Sequence, residues 1–262
     1  MSARSAAARD ALAPDTVSIE AARLAVALAW VAGGVDAIGY LTLSHLFTAH
    51  VSGNSVVAGA ALGQAQWSTV LERGVPIALF LFGIAIATAV GEVRRAHGAR
   101  HPFAALYAAE AALLSAFWLA GARGAPDGSI EPTSGWPFYA FAALPTLAMG
   151  VQNATLRRVG RHGVHTTYVS GVLTNLAEAL VQLVYQPRGA RAQPETPAAG
   201  GSPKERVRLY SSLWTGYLIG AVMGGFGQQR WGFAVLLLPI AGLGLVAVRD
   251  VLYPGELGLP NA

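Results

Sequence analysis

The stretch Gly33–Gln64, GGVDAIGYLTLSHLFTAHVSGNSVVAGAALGQ, decides the fold. It is apolar enough for a membrane interior, yet it is rich in glycine and contains Asp36, His45, His50 and Asn54. An ionisable side chain inside a membrane span is costly unless it faces protein, water or a partner. The stretch therefore predicts a membrane segment that is built around polar groups.

A second part of the chain repeats this pattern. At a shift of 117 positions, Gly33, Asp36 and Ala37 correspond to Gly150, Asn153 and Ala154. At a shift of 118 positions, the V-S-G motif recurs with its surroundings: Thr48, Val51, Ser52, Gly53, Ala61, Leu62 and Gln64 correspond to Thr166, Val169, Ser170, Gly171, Ala179, Leu180 and Gln182. These matches indicate an internal duplication, in which each copy carries one polar, glycine-broken V-S-G element.

The composition is that of a helical membrane protein. Of the 262 residues, 53% are hydrophobic and 12% are charged, whereas about 25% are charged in a typical soluble domain. The chain has no cysteine, which excludes disulfides and thiolate metal sites. The net charge of +4 fits arginine-rich cytoplasmic loops. We therefore expect the lipid bilayer as the surrounding and no nucleic-acid partner.

Six apolar runs approach the ~20 residues that cross a bilayer. They are Leu24–Leu43, Val75–Gly91, Phe103–Gly121, Trp136–Ala154, Leu209–Phe226 and Phe233–Val248. The first run contains Gly33-Gly34 and Asp36, so we predict a broken span there. The V-S-G elements, Val51–Leu62 and His165–Tyr185, are predicted to be short or broken helices. The expected fold is an all-α polytopic bundle with six full transmembrane helices and two partial V-S-G elements.

The charge distribution favours six crossings over eight. If the V-S-G elements enter the membrane and return, both termini and the basic, proline-rich linker Gln186–Arg208 are cytoplasmic. If both elements cross, that linker faces outward, against the positive-inside rule. Six crossings make the two copies inverted relative to each other, which is a transporter architecture. Eight transmembrane helices, with parallel copies, stay the alternative.

This topology divides the chain into five parts. They are a disordered N-terminal tail (1–22), a first membrane repeat (23–121), an extracytoplasmic loop (122–135), a second membrane repeat (136–250, including the linker 186–208) and a C-terminal tail (251–262). The N-terminal tail lacks the apolar centre of a cleavable signal peptide.

The candidate site consists of polar residues at membrane depth. Asp36 would respond to a proton or a cation, and His50 is either its partner or a satisfied interior histidine. Ser52 and Ser170 are expected to be helix N-caps beside backbone N–H groups that favour an anion or a carbonyl. The predicted substrate-binding residues are Asp36, Ser52, Gly53, Asn54, Asn153, Ser170, Gly171 and Asn175. The secondary candidates are His50 and two glutamates interpreted first as polar contacts between helices, Glu110 and Glu178.

The motifs also resemble those of a known family. GGVDAIGYLTL at Gly33–Leu43, FTAHVSGN at Phe47–Asn54, GVQNA at Gly150–Ala154 and TTYVSG at Thr166–Gly171 resemble the YoaK family of bacterial multi-pass membrane proteins. Nearly the whole chain beyond the tail is covered. The resemblance implies a location in the bacterial inner membrane. The family's domain is one of unknown function, so it supplies no catalytic residues; its usual threonine is replaced here by Ser52.

The expected function is the passage of a small polar or ionic solute, coupled to protons if Asp36 faces the path. A membrane scaffold, a lipid-interacting protein or an accessory subunit is the alternative, and an intramembrane enzyme comes third. Ser52 and Ser170 lack the G-x-S-G turn of intramembrane serine proteases. His45 and His50 are five residues apart and do not share a helix face. We therefore expect no enzymatic activity, no metal and no cofactor.

Overall fold

A computed structural model describes residues 19–99, 101, 103–124, 135–159, 169–185 and 202–252. Every regular element within these ranges is helical. In chain order the α-helices are α1 (Ile19–Thr42), α2 (Val51–Gly63), α3 (Trp67–Ala96), α4 (Ala104–Gly124), α5 (Gly135–Val159), α6 (Val169–Tyr185), α7 (Pro203–Trp231) and α8 (Leu237–Leu252). The 3-10 helix Gly232–Leu236 joins α7 to α8.

Four helical segments are long and apolar enough to cross a membrane. They are Ile19–Thr42, Trp67–Ala96, Ala104–Gly124 and the segment Pro203–Leu252, which contains α7 and α8. Many large apolar side chains are exposed on their outer faces, including Leu81, Phe82 and Val222. Such surfaces are suited to lipid rather than to water. An all-helical membrane fold is therefore confirmed at this level.

Helix α1 is continuous from Ile19 to Thr42, so the break predicted at Gly33-Gly34 and Asp36 is wrong. Glycine can mark either an interrupted helix or a place where two backbones touch. In α1 the glycines mark a place where two backbones touch. The helix keeps its backbone hydrogen bonds along its whole length, and Asp36 is carried on a regular helical turn.

The glycines of α1 let it lie directly against α7. A Cβ atom on Gly33 would collide with the carbonyl oxygen of Tyr217, and one on Gly220 would collide with the carbonyl oxygen of Trp30. Close approach of this kind is typical of small residues at helix crossings within membranes. The crossing fixes the position of Tyr217 relative to α1.

A second glycine crossing joins α3 to α5. A Cβ atom on Gly83 would lie 2.7 Å from the carbonyl oxygen of Leu147, and one on Gly150 would collide with the carbonyl oxygen of Phe80. The two crossings form the centre of the bundle, and α4 packs against both α5 and α8.

Contacts along two helix pairs give their relative directions. Helices α1 and α7 are parallel, because Gly216 lies against Val26 and Gly224, two turns later, lies against Gly34. Helices α4 and α8 are antiparallel. The N–H of Ala104, at the start of α4, donates to Asp250 near the end of α8 (2.7 Å). At the other end of the pair, Gly121 of α4 packs against the Phe233 ring, just before α8.

Between α1 and α2 the chain folds back along α1. Ser44 and His45 have φ angles of 49° and 60° and turn the chain. Leu46 and Thr48 then lie against Gly39 of α1. Helix α2 has 13 residues, which is about 20 Å and less than the ~30 Å hydrocarbon layer. The prediction of a short helix at Val51–Leu62 is confirmed.

The remaining boundaries differ in detail from the predicted ones. Helix α7 begins at Pro203, so the last residues of the predicted linker are helical. Ser202 and Glu205 form a capping box at this start, which satisfies N–H groups of the first turn. Helix α6 has 17 residues and packs against α7. The start of the second V-S-G element, at residues 165–168, lies outside the described residues, as does most of the linker.

Candidate functional site

The Asp36 side chain fastens the chain that folds back along α1. Only 2% of Asp36 is exposed. Its Oδ1 accepts the backbone N–H groups of Thr48 (2.7 Å) and Ala49 (2.8 Å), and it also accepts the Thr48 hydroxyl (3.1 Å). These donors lie immediately before α2, so one carboxylate holds the residues that precede α2 against α1.

The other carboxylate oxygen reaches a third helix. Oδ2 of Asp36 accepts the Tyr217 hydroxyl of α7 (2.9 Å) and lies 2.5 Å from Nδ1 of His50. The Tyr217 hydroxyl is also 3.1 Å from the same His50 nitrogen. Of the two alternatives for His50, the structure shows the pairing with Asp36. We name Asp36, Thr48, Ala49, His50 and Tyr217 the Asp36 cluster.

The chemistry of the cluster suits an ionised carboxylate. Two backbone N–H groups, two hydroxyl groups and an imidazole surround Asp36, and hydrogen bonds to an ionised acceptor are about twice as strong as neutral ones. The N-terminus of α2, which carries a partial positive charge, begins at Val51, directly after His50. A change in the charge of Asp36 would therefore act on α1, α2 and α7 together.

Asn54 also binds the loop between α1 and α2, through two hydrogen bonds to Phe47. Its Oδ1 accepts the N–H of Phe47 (3.1 Å), and its Nδ2 donates to the Phe47 carbonyl oxygen (2.6 Å). The Phe47 ring in turn packs against Gly53, where a Cβ atom would lie 3.0 Å from the ring. Asn54 is 2% exposed, so its amide serves the protein's own backbone.

The two serines of the V-S-G elements are not N-caps, contrary to prediction. The N-cap of α2 is His50, which makes no side-chain capping bond, and Ser52 is the second residue of the helix. Ser170 follows Val169 inside α6. Both serines are exposed. The backbone N–H groups before α2 are instead capped from another helix, by Asp36.

The structure joins only some of the predicted residues. Asp36, His50 and Asn54 meet around one loop. Within the described ranges no hydrogen bond connects the cluster to the predicted residues of the second copy, which are half-buried or, for Ser170 and Glu178, exposed: Asn153, Ser170, Gly171, Asn175 and Glu178.

Glu110 of α4 does not make the polar contact between helices that was expected. It is fully buried, and neither carboxylate oxygen has a hydrogen-bond partner in the described part of the structure. The same is true of the hydroxyl group of Tyr107, one turn earlier. These two side chains are separate from the Asp36 cluster, in which the tyrosine hydroxyl group is that of Tyr217 on α7.

Sequence reasoning missed two residues. Tyr217 lies between Gly216 and Gly220, and this glycine spacing is a signal for a tight helix crossing. Arg73 is a lone cation at the start of an otherwise apolar run. It is 8% exposed and donates from Nη2 to the Ser44 carbonyl oxygen (2.5 Å). Arg73 therefore supports the left-handed turn that starts the return along α1.

Residues 24–249 match the family described as "Protein of unknown function (DUF1275)". The chain belongs to this family. Its similarity to the UPF0700 transmembrane protein YoaK of Bacillus subtilis (strain 168) is 32% identity over 149 residues, which is 56% of this chain and 61% of the relative. The chain thus spans less than two thirds of that relative's length. No solved structure matches the chain. The predicted resemblance to the YoaK family is confirmed, and the DUF1275 member described here is a transmembrane protein.

Proposed function

We propose that this protein passes a small polar or ionic solute across the bacterial inner membrane and that the Asp36 cluster controls the passage. The observation that carries the proposal is the buried carboxylate of Asp36, which holds the N-terminal end of a short helix at the level of a helix crossing. Ionisable groups inside membrane bundles commonly mark ion or solute pathways. Helices that begin within the membrane are typical of transporter binding sites.

The directions of the helices support six crossings rather than eight. If every one of the helices α1–α8 crossed, α4 and α8 would run in the same direction, but they are antiparallel. If α2 crossed and α6 did not, α1 and α7 would be antiparallel, but they are parallel. Both relations are met when α2 and α6 do not cross. In this topology both termini are cytoplasmic, as the positive-inside rule also favours.

Single cysteines test this topology, because the chain has none of its own. With six crossings, Gln64 at the end of α2 faces the outside and Arg95 at the end of α3 faces the cytoplasm. With eight, the two positions are exchanged. We expect a membrane-impermeant maleimide to label Gln64→Cys in intact cells and Arg95→Cys only after lysis. The opposite pattern would refute six crossings.

The two glycine crossings support an internal duplication. Gly33 and Trp30 of α1 meet α7 at Tyr217 and Gly220; at a shift of 117 positions, Gly150 and Leu147 of α5 meet α3 at Phe80 and Gly83. The correspondence covers these two backbone contacts and does not extend to the side chains. Phe80 stands where α7 has Tyr217, and Asn153 stands where α1 has Asp36. The pair formed by Asp36 and Tyr217 therefore has no counterpart at the crossing of α3 and α5.

The proposed control works through the charge of Asp36. Protonation would turn the charge-assisted hydrogen bonds of the cluster into weaker neutral ones and release the loop from α1 and α7. A solute path would then open beside α2, along Asp36, Ser52, Gly53 and Asn54. The predicted residues of the second copy, Asn153, Ser170, Gly171 and Asn175, lie on α5 and α6. Passage of the solute would then be coupled to protons, because protonation of Asp36 releases the loop before α2.

One observation favours the non-transporting alternative. Both oxygens of Asp36 accept hydrogen bonds from the protein's own donors. This is expected for a side chain that only stabilises the fold of a scaffold or accessory protein. Flux separates the two functions. In proteoliposomes with an imposed pH gradient, we expect wild-type protein to show pH-dependent uptake of small polar solutes. Asp36→Asn should abolish the pH dependence while the protein stays folded. A variant that changes stability alone, with flux and pH dependence intact, would contradict the proposal.

A further inference from the structure

The carboxyl group of Glu110 is buried in α4 without a counter-charge. The residue is 0% exposed, and neither oxygen has a hydrogen-bond donor among the described residues. Glu110 lies within α4, one of the helices long and apolar enough to cross a membrane. An ionised carboxylate in such surroundings is strongly unfavourable. Something other than the side chains of the described residues must therefore neutralise Glu110.

Within the described ranges no cation pairs with Glu110. Tyr107, one turn earlier on α4, has a buried hydroxyl group without a partner in the described structure. Helix α8 contributes Asp250, whose carboxylate accepts the N–H of Ala104 at the start of α4 (2.7 Å); the neighbouring Arg249 of α8 is engaged with Glu20 of α1. The 3-10 helix Gly232–Leu236 contains no titratable residue.

Helix α5, which packs against α4, contributes a neutral amide, that of Gln152. Gln152 donates to the Leu28 carbonyl oxygen (2.9 Å), and its own amide oxygen is buried without a partner in the described structure.

We propose that Glu110 is an exchangeable proton-binding site, separate from the Asp36 cluster. A proton on one carboxyl oxygen removes the charge without requiring the several ligands that a metal cation needs. Tyr107 lies one turn before Glu110 on α4, and half-buried His101 contacts the Asp250 carbonyl oxygen (3.0 Å) near the start of the helix. Polar groups therefore lie between Glu110 and the start of α4. The site does not depend on the proposed transport function.

Dicyclohexylcarbodiimide, a membrane-soluble reagent, tests the proposal on the full-length protein in proteoliposomes. The carboxylic O–H group adds across a C=N bond of the reagent, and the product rearranges to a stable N-acylurea that peptide mass spectrometry locates. We expect modification of Glu110 at pH 7. We expect its rate to fall about tenfold per pH unit once the pH exceeds the midpoint of Glu110 ionisation. Exposed Glu92, which is paired with Arg95, should stay unmodified at pH 7 and is the internal control.

The Glu110→Gln variant and a change of salt distinguish a proton from a metal cation at Glu110. Glu110→Gln should lose this adduct and keep the wild-type melting temperature, because the amide is neutral and similar in shape. Replacing choline chloride by sodium chloride should leave the rate at Glu110 unchanged. Protection by sodium would show a metal-cation site. An adduct whose rate does not change up to pH 10 would show a permanently protonated structural acid. Either result, or no adduct at Glu110, would overturn the proposal.

Discussion

The hydrogen bond from Tyr217 to Asp36 can be measured with one hydroxyl group. Tyr217→Phe keeps the ring beside His50 (centroids 5.2 Å apart) and removes the donor 2.9 Å from Oδ2. A buried hydrogen bond to a charged group is worth about 1.5–3 kcal/mol, and one between neutral groups about 0.5–1.5 kcal/mol. We therefore expect Tyr217→Phe to lower the free energy of unfolding by about 1.5–3 kcal/mol.

The same change in an Asp36→Asn background isolates the charge. Asparagine keeps the shape but not the charge, so Tyr217→Phe should then cost only about 0.5–1.5 kcal/mol. The coupling energy from the double-mutant cycle is thus about 1–2 kcal/mol, within the range for residues in contact. Reversible unfolding in mixed detergent micelles measures all four proteins. Tyr139→Phe, in half-buried surroundings on α5, is the control and should stay within about 0.5 kcal/mol. An equal Tyr217→Phe penalty in both backgrounds would refute a charged Asp36.

Three further changes test the loop and the crossing by the same unfolding measurement. Gly33→Ala should destabilise by about 1–3 kcal/mol because its Cβ meets the α7 backbone. Gly59→Ala, in open space on α2, should stabilise by about 0.5–1 kcal/mol; equal effects of the two changes would contradict the close crossing. Ala65→Gly should stabilise by about 1 kcal/mol because its φ of 55° is left-handed, whereas Ala60→Gly within α2 should destabilise. Asn54→Ala should cost about 1–3 kcal/mol by leaving the Phe47 backbone groups unpaired, and a loss below 0.5 kcal/mol would show that water replaces the amide.

The sequence could predict the elements of the bundle because hydrophobic run length sets where a helix crosses. It could not predict what Gly33-Gly34 does, since glycine permits both a break and a close approach. The deciding partner is Gly220 and its neighbours in α7, far along the chain. The break at Asp36 was predicted from local composition, whereas the continuous helix is stabilised by a tertiary contact.

The candidate site was predictable in the same uneven way. Asp36 and His50 are close enough along the chain for their pairing to be considered, and both carry obvious chemistry. Tyr217 lies in a glycine spacing that indicates a helix crossing, but the sequence does not identify α1 as the partner helix, so its hydroxyl could not be assigned to Asp36. Ser52 was interpreted as a cap because serine commonly fills that role. The capping carboxylate came instead from α1, and a pattern within one helix cannot show that.

The bond between Asp36 and Tyr217 has a consequence for biosynthesis. The two residues are 181 positions apart, and a ribosome that adds about 5–20 residues per second needs on the order of ten seconds or more to make that length. During this time α1 has already left the ribosome with its carboxylate only partly shielded. The nascent chain must therefore wait beside the insertion machinery, or hold Asp36 protonated, until α7 is inserted and Tyr217 donates to Asp36.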